Sequence, residues 1–169
     1  VRSPWSDPRY REDSAHDVAV LKLDHAMAVA AISTVGAGWS EAKRSVALIS
    51  LPGDAADRRA RLSAGEARPF PLGAVRDERS GMHVSDPSLL FASSVESASG
   101  SSGGLYFARG TATAIGIHVG FVCGGPAGCF NFGLRFDARV LTMIASVAVD
   151  DQPGEGMQLA SAAPIRGLR

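Results

Sequence analysis

The stretch that decides the fold is Gly100-Ser101-Ser102-Gly103-Gly104. A serine between glycines can present a nucleophilic hydroxyl, because glycine adopts backbone angles closed to other residues and leaves room for a carbonyl group to approach. A glycine just before the nucleophile also lets two backbone N–H groups converge on a developing oxyanion. Taken alone, the pentad favours a Ser/Gly-rich surface loop, since four further serines lie between residues 93 and 99.

The residues after the pentad separate two classes of hydrolase that share the pattern Gly-x-Ser-x-Gly. In an α/β-hydrolase a helix follows the serine, and the acid and then the histidine come later in the chain. Here residues 105–119 are aromatic and β-branched with a turn at residues 108–110, which predicts a β-hairpin. No histidine lies beyond His118, so the α/β-hydrolase order cannot be completed.

Apolar runs between turn signals predict a mostly β chain that ends in one helix. The predicted strands are residues 18–23, 45–51, 68–75, 81–84 and 89–93. The charged residues 55–66 predict a solvated loop, and residues 76–81 predict a hairpin turn. Helical periodicity over residues 136–149, with Asp137 as N-cap, predicts the helix. Residues 150–169 lose periodicity and gather Pro, Gly and Gln, which predicts a disordered tail.

Four segments of the chain follow one another in an informative order. They are residues 16–23 (His-Asp-Val-Ala-Val-Leu-Lys-Leu), residues 51–54 (Leu-Pro-Gly-Asp), the pentad, and residues 115–118 with 130–134 behind them. In this order they resemble the chymotrypsin superfamily of serine proteases, and more closely its bacterial glutamyl-endopeptidase-like branch. The segments resemble the strand of the triad aspartate, a turn early in the second barrel, the nucleophile loop, and the two strands that wall the specificity pocket. The resemblance covers residues 8–147.

The resemblance implies an all-β fold, the double Greek-key β-barrel of these serine proteases, with the first barrel largely missing. Residues 1–35 would then be a remnant of the first barrel with the linker between the barrels. Residues 36–149 would form the complete second barrel and the C-terminal helix, followed by the tail at residues 150–169.

The resemblance assigns the catalytic roles to Asp17 and Ser102. Ser102 would form an acyl-enzyme during peptide-bond hydrolysis, and the N–H groups of Gly100 and Ser102 would form the oxyanion hole, where one donor contributes about 3 kcal/mol. Asp17 would fix the tautomer of a histidine and stabilise its cation, although its position before an apolar run is also typical of a turn. His16 should point the opposite way on a strand and lie at the surface.

The same resemblance predicts a substrate pocket at Ser97, His118, Val119 and Gly120. Acid-specific members place a histidine at the position of His118 to pair with a Glu or Asp side chain of the substrate, and Ser97 would supply a second donor. From the residues alone, a lone histidine on an apolar strand is typical of a core or rim position. Glu96 would favour a basic side chain if it faced the pocket.

Cys123 and Cys129 are the two cysteines of the chain and flank a short Gly/Pro loop. Such a pair predicts a disulfide, with two free thiols as the alternative. A bridge indicates an oxidising compartment, so we expect a secreted or periplasmic protein. Two cysteines without histidines at metal spacing do not predict a zinc site, and no metal or other cofactor is expected.

Composition limits the partners that the chain can have. The 17 basic and 17 acidic residues balance, and no basic patch or polybasic arm indicates nucleic acid or a membrane surface. The longest apolar run, residues 26–32, is too short to span a membrane, and residues 1–10 do not resemble a signal peptide. A chain of 169 residues can bury a sizeable core. The expected partner is a protein or peptide substrate, and the expected state is a monomer if the chain is complete.

The general base of the triad has no match in this sequence. It should lie well before Asp17, but only sixteen residues precede that position, and none of the four histidines fits the family's segment. Loss of the base should remove most of the activity. Three interpretations follow: an N-terminally truncated serine endopeptidase that is inactive alone, a non-catalytic peptide-binding relative, and a structural β-barrel. We expect the first, because the chain begins in a loop just before a core strand.

Overall fold

The computed structural model describes residues 5–9, 12–21, 34–35, 43–54, 56–57, 59–71, 83–123 and 128–149. Its strands are β1 (Trp5–Ser6), β2 (Ala19–Val20), β3 (Thr34–Val35), β4 (Arg44–Ser50), β5 (Arg61–Pro69), β6 (Leu90–Ser93), β7 (Leu105–Ala108), β8 (Thr113–Cys123) and β9 (Cys129–Arg135). One α-helix, α1 (Ala138–Val149), follows the last strand, and two short 3-10 helices lie at Ser14–His16 and Pro87–Leu89.

Six of these strands close into an antiparallel barrel. β4 pairs with β5 and with β7, β5 pairs with β6, and β6 pairs with β9. β8 then pairs with both β7 and β9 and closes the ring. Closure satisfies the backbone N–H and C=O groups that an open sheet would leave at its edges. The short β3 adds to β8 in parallel outside the ring.

Alternation along the strands produces the interior of the barrel. In β4, Val46 and Leu48 are fully buried, whereas Ile49 between Leu48 and Ser50 is 43% exposed. Successive side chains of a strand point to opposite faces, so this alternation directs Val46 and Leu48 inward. They pack in one cluster with aromatic and aliphatic side chains of the other strands, among them Phe91 and Tyr106.

A second core lies on the outside of the barrel. Phe91 belongs to the interior cluster, whereas its neighbours Leu90 and Ala92 are buried in another cluster, so β6 is apolar on both faces. Val140 from α1 and Val18 from the N-terminal segment pack in this outer cluster. The helix and the segment before β2 therefore cover the apolar outer face that β6, β8 and β9 share.

The C-terminal helix begins where the sequence predicts it. The carboxylate of Asp137 accepts a hydrogen bond from the N–H of Val140 at 2.9 Å, and its carbonyl accepts from the N–H of Leu141 at 3.0 Å. The first bond satisfies an N–H group of the first turn that has no backbone acceptor, and the second is the first i→i−4 bond of the helix. The predicted helix at residues 136–149 and its N-cap are confirmed, with the first helical residue at Ala138.

The chain is mostly β, with a closed six-stranded barrel and one C-terminal helix. Predicted strands at residues 45–51 and 89–93 are confirmed within one residue at each end. The loop predicted for residues 55–66 is wrong from Arg61 onward, since β5 begins there. The predicted strand 18–23 is described only to residue 21 and reduces to β2, beyond which Leu21 is 57% exposed.

The remaining predicted segments are only partly confirmed, wrong, or outside the described residues. Of the strand predicted for residues 68–75, residues 68 and 69 belong to β5, residues 70 and 71 form no strand, and residues 72–75 lie outside the described residues. His83 and Val84, the described part of the predicted strand 81–84, form no strand. The turn at residues 76–81 and the tail at residues 150–169 lie outside the described residues.

Candidate active site

The glycine pentad is the last part of the connection between β6 and β7 and turns against Gly53. The N–H of Gly53 donates to the carbonyl of Ser99 at 2.8 Å. Gly100 adopts a φ of 86°, and a β-carbon there would lie 2.4 Å from the nitrogen of Gly53. A side chain at position 100 would therefore be disfavoured both by the left-handed backbone and by the opposing loop. This close approach fixes where the two serines that follow are placed.

The two serines of the pentad have opposite environments. Ser101 is 1% exposed, and its Oγ accepts hydrogen bonds from the hydroxyl of Ser50 and the N–H of Ala98, both at 3.2 Å. Ser102 is exposed, and its hydroxyl donates to the carbonyl of Val119 at 3.0 Å. Ser101 therefore anchors the loop to the barrel, while Ser102 presents a hydroxyl that solvent or a ligand can reach.

The backbone N–H groups of the loop divide in the same alternating manner. The N–H groups of Ser101, Gly103 and Gly104 donate to the carbonyls of Ala98, His118 and Ser101 at 3.0, 2.8 and 2.9 Å. Within the described chain, no hydrogen bond has the N–H of Gly100 or of Ser102 as its donor. Two N–H groups next to an exposed serine hydroxyl thus remain available to an acceptor from outside.

β8 holds the other side of the loop and carries three of the residues predicted for the substrate pocket. The N–H of His118 donates to the carbonyl of Gly104 at 2.7 Å, which ties the strand to the pentad. Val119 is half-buried and supplies the carbonyl that accepts the Ser102 hydroxyl. Gly120 is also half-buried, at a register shift that follows His118 in the pairing with β9.

His118 itself lies inside the barrel and is only 3% exposed. Its Nδ1 lies 3.1 Å from the hydroxyl oxygen of Tyr106, which is fully buried. Burial lowers the pKa of His118 to about 4, because the protonated ring loses hydration. Burial raises the pKa of Tyr106 to about 12, against a smaller opposing effect of its hydrogen bond to Ser93. The pair is therefore uncharged at neutral pH.

Ser97 lines a cavity of about 380 Å³. Its hydroxyl donates to Asn131 Oδ1 at 2.6 Å, and the Asn131 amide donates to the carbonyl of Val95. Glu96 and Ser101 line the same cavity, whereas Ser102, His118, Val119 and Gly120 do not. The cavity thus lies on the side of the loop that carries Ser101, and among the predicted pocket residues it includes Ser97 alone.

Asp17 is exposed and ends the 3-10 helix Ser14–His16, where its N–H faces the carbonyl of Ser14. Desolvation by the surrounding chain raises the pKa of its carboxyl above the ordinary value of an aspartate. No hydrogen bond joins Asp17 to Ser102 or to any histidine that the structure describes. The assignment of Asp17 and Ser102 to one catalytic triad therefore stays a prediction. Asp17 follows the 3-10 helix of the N-terminal segment, and Ser102 lies in the pentad.

The prediction that His16 lies at the surface is wrong, because the ring is 3% exposed. Its Nδ1 lies 2.8 Å from Asp7 Oδ2, and its Nε2 lies 3.7 Å from Asp13 Oδ2. Arg139 of α1 contacts the same Asp7 oxygen at 2.5 Å. We call these four residues the Asp7 cluster. The 3-10 helix places His16 inward, so the alternation expected of a strand does not apply to it.

The two carboxylates of the Asp7 cluster are held in their charged form. Burial by itself would raise the pKa of Asp7, but hydrogen bonds from the Arg9 N–H, His16 and Arg139 outweigh it and hold the pKa well below its ordinary value. Asp13 behaves alike: bonds from Ser85 and from a backbone N–H outweigh its burial and lower its pKa. The cluster joins the N-terminal segment to α1 and to the chain at residue 85.

Cys123 and Cys129 form a disulfide, as predicted. The two residues are register partners at the end of the β8–β9 hairpin, with Cα atoms 4.0 Å apart. The bridge thus lies at the end of the hairpin, and His118 is in the middle of the same strand β8. Among the described residues, no group of three or more His, Cys, Asp or Glu side chains could hold a metal ion. None of the described helices is long and apolar enough to cross a membrane.

Comparison with known proteins adds no assignment: neither a family model nor a curated protein matches the chain. The candidate site therefore rests on its own geometry. That geometry brings Ser102, Gly103 and Gly104 of the pentad together with His118 and Val119 of β8, whereas Gly100 lies against Gly53. Sequence reasoning missed Tyr106 as the partner of His118, although both lie at inward positions of paired strands, where a contact is expected.

Proposed function

We propose that this chain is part of a serine-type endopeptidase that forms an acyl-enzyme on Ser102. The observation that carries the proposal is the alternation in the pentad. The Ser102 hydroxyl is exposed, and the N–H groups of Gly100 and Ser102 are available, while the neighbouring N–H groups are bonded within the protein. Acyl transfer requires this combination of a reachable nucleophile and preorganised donors for an oxyanion.

In the proposed reaction, the Ser102 oxygen attacks the carbonyl carbon of a peptide bond and its proton passes to a general base. The carbonyl oxygen becomes an oxyanion between the N–H groups of Gly100 and Ser102. Collapse of this intermediate breaks the C–N bond, the amine leaves with a proton, and water then hydrolyses the ester on Ser102. In this proposal the six-stranded barrel is one half of a double Greek-key fold, and Asp17 would orient the base.

Substrate choice in this proposal lies with the strand beside the nucleophile. His118 is held next to the pentad and is neutral at pH 7, but its ring is only 3% exposed, so an acidic side chain of the substrate would reach it only after the residues around the ring move. The second donor expected from Ser97 is already used, because its hydroxyl donates to Asn131 Oδ1 at 2.6 Å. The disulfide between Cys123 and Cys129 supports a secreted or periplasmic protein, since such bridges persist in oxidising compartments.

A second candidate is a non-catalytic peptide-binding protein of the same fold. The observation that favours it is that the Ser102 hydroxyl donates to a backbone carbonyl and contacts no described histidine. A serine without a base is a weak nucleophile. The two candidates differ in whether Ser102 reacts once a base is provided.

The test is labelling with a fluorophosphonate probe in the presence and absence of imidazole, read by peptide mass spectrometry. We expect the label on Ser102, with a rate that rises with imidazole concentration because imidazole can accept the proton of the Ser102 hydroxyl. Ser102→Ala should abolish labelling. The matched control is Ser101→Ala, which removes the neighbouring hydroxyl and should leave label on Ser102. Absence of label at every imidazole concentration in folded protein would exclude the endopeptidase and leave the peptide-binding candidate.

A further inference from the structure

The interior of the barrel becomes polar at one end. Residues directly opposite each other on antiparallel strands share a face of the sheet, and Ser63 of β5 is opposite Leu48 of β4, while Arg61 is opposite Ser50. Leu48 is fully buried and points inward, so Ser63 lies on the inner face with it. Ser50 and Arg61 are two residues further along their strands and lie on that face as well.

This polar end of the barrel forms the cavity of about 380 Å³, because Ser50, Arg61 and Ser63 all line it together with Ser101 of the pentad. The mouths of β-barrels are a common place for small ligands, and the volume is that of a small-molecule pocket. Ser102 does not line the cavity, so the cavity is separate from the proposed nucleophile.

The most buried part of the lining is a pair of serines with a hydrogen to spare. Ser50 is 6% and Ser101 is 1% exposed, and their hydroxyl oxygens lie 3.2 Å apart. Ser101 Oγ also accepts from the N–H of Ala98 at 3.2 Å. Whichever hydroxyl donates in the shared bond, the hydrogen of the other finds no acceptor among the described residues. A buried donor without an acceptor is costly, so an oxygen placed in the cavity would be bound there.

The exposed part of the lining carries negative charge. Asp54 and Glu96 are both exposed and both line the cavity, and neither carboxylate forms an ion pair or hydrogen bond with another residue that the structure describes. Arg61 is the cation of the lining, and it is already paired, since its Nη2 donates to Asp57 Oδ2 at 3.0 Å. The two carboxylates therefore attract a cation and repel an anion.

We propose that this barrel mouth binds a small organic cation that also carries a neutral oxygen, with the cation at Asp54 and Glu96 and the oxygen at the serine pair. A guanidinium or ammonium group has several N–H donors and no acceptor, which suits two carboxylates. A carbonyl or hydroxyl oxygen would accept the hydrogen that Ser50 and Ser101 leave over. The inference goes beyond the proposed endopeptidase and does not depend on it.

The first experiment titrates the nitrogen-labelled full chain with three probes and follows the backbone amides of Ala98 and Ser101 by NMR. Argininamide carries the cation and the oxygen, citrullinamide replaces the guanidinium by a neutral urea group, and agmatine keeps the guanidinium but lacks the carboxamide. We expect argininamide to bind at least about threefold more tightly than citrullinamide, and about fivefold more tightly than agmatine. Equal binding of the three probes, or no shift at the two amides, would overturn the proposal.

A capped peptide with arginine between two alanines distinguishes a free molecule from a side chain of a polypeptide. The cavity holds a molecule of about amino-acid size, so we expect the peptide to bind more weakly than argininamide. Tighter binding of the peptide would overturn the assignment to a small molecule.

The second experiment locates the cation with isosteric variants. Glu96→Gln and Asp54→Asn keep the shape of each side chain and remove its charge, so each should weaken argininamide binding about threefold. The matched control is Glu66→Gln, which removes the same charge from β5 but from a side chain paired with Lys43, and it should leave binding unchanged. An equal effect of Glu96→Gln and Glu66→Gln would show that net charge alone attracts the probe and would overturn the site.

Ser102→Ala separates this inference from the proposed function. The variant should bind argininamide as tightly as the wild type, since Ser102 does not line the cavity. Loss of binding would place the cation at the candidate active site and overturn the inference. A Ser102 that does not react with the fluorophosphonate would defeat the endopeptidase and leave the cation site standing.

Discussion

Replacing Arg139 by methionine should lower the free energy of unfolding by about 3 kcal/mol. Arg139 Nη1 lies 2.5 Å from Asp7 Oδ2, and Nη2 donates to the carbonyl of Ala15 at 3.1 Å. A hydrogen bond to a buried charged group contributes about 2 kcal/mol and one to a neutral carbonyl about 1 kcal/mol. The methionine retains most of the apolar stem, so the loss reports the polar contacts.

The assay is urea unfolding at neutral pH, with Arg61→Met as the matched control. Arg61 pairs with Asp57 at 3.0 Å, but both side chains are at least 40% exposed, and an exposed pair contributes less than about 1 kcal/mol. A double-mutant cycle with Asp7→Asn isolates the Asp7–Arg139 pair and should give a coupling above about 1.5 kcal/mol. Equal losses for the two arginine variants would refute the reasoning that burial strengthens the Asp7 cluster.

The same cluster makes stability depend on pH, and the sign follows from Asp7. Its folded pKa lies well below the unfolded value of 3.8, so the folded state binds fewer protons. The contribution of Asp7 is fully present above that unfolded pKa and is lost as the pH falls below it toward the folded pKa. Asp7→Asn should therefore lose stability at neutral pH and depend less on acidification than the wild type. An unchanged acid profile would contradict this account.

Two further predictions concern the backbone. Gly100→Ala should lower the free energy of unfolding in urea by more than about 2 kcal/mol, because the strain of a left-handed φ adds to the clash of a β-carbon 2.4 Å from the Gly53 nitrogen. The control is Gly110→Ala, where φ is 78° and no atom lies near the β-carbon, and it should cost about 1 kcal/mol. Equal losses for the two variants would contradict the close approach of Gly100 to Gly53. Asp137→Ala should cost about 1 kcal/mol in thermal unfolding by removing the N-cap of α1, and no loss would show that another group satisfies the Val140 N–H.

The strands that could be predicted from the sequence are those in which apolar and polar residues alternate within the strand itself. β4 alternates, with Val46 and Leu48 inward and Ile49 outward, so the sequence of one segment suffices. β5 (Arg61–Pro69) carries small and charged residues, and Leu62 at its start is 71% exposed. It is a strand because β4 and β6 pair with it on both sides, which no local pattern records.

The same distinction explains which parts of the candidate site were predictable. The left-handed backbone at Gly100 and the disulfide are signalled by residues close in sequence, and both are present. The burial of His16 depends on Asp7 and on Arg139, which is 123 residues away, so composition around His16 gave no signal of it. Whether Ser101 or Ser102 faces outward likewise depends on Ser50, 51 residues earlier, which binds one of them.

The length of β8 limits which kinds of mutation can change the residue that lies beside the pentad. Its eleven residues pair with β7 and β9 and close the barrel, and the same strand presents His118 beside the pentad. An inserted or deleted residue before position 118 would reverse the face on which every later side chain emerges. Point substitutions can therefore change the side chain at position 118, whereas insertions or deletions within β8 would disrupt the strand. The connections between strands can vary in length.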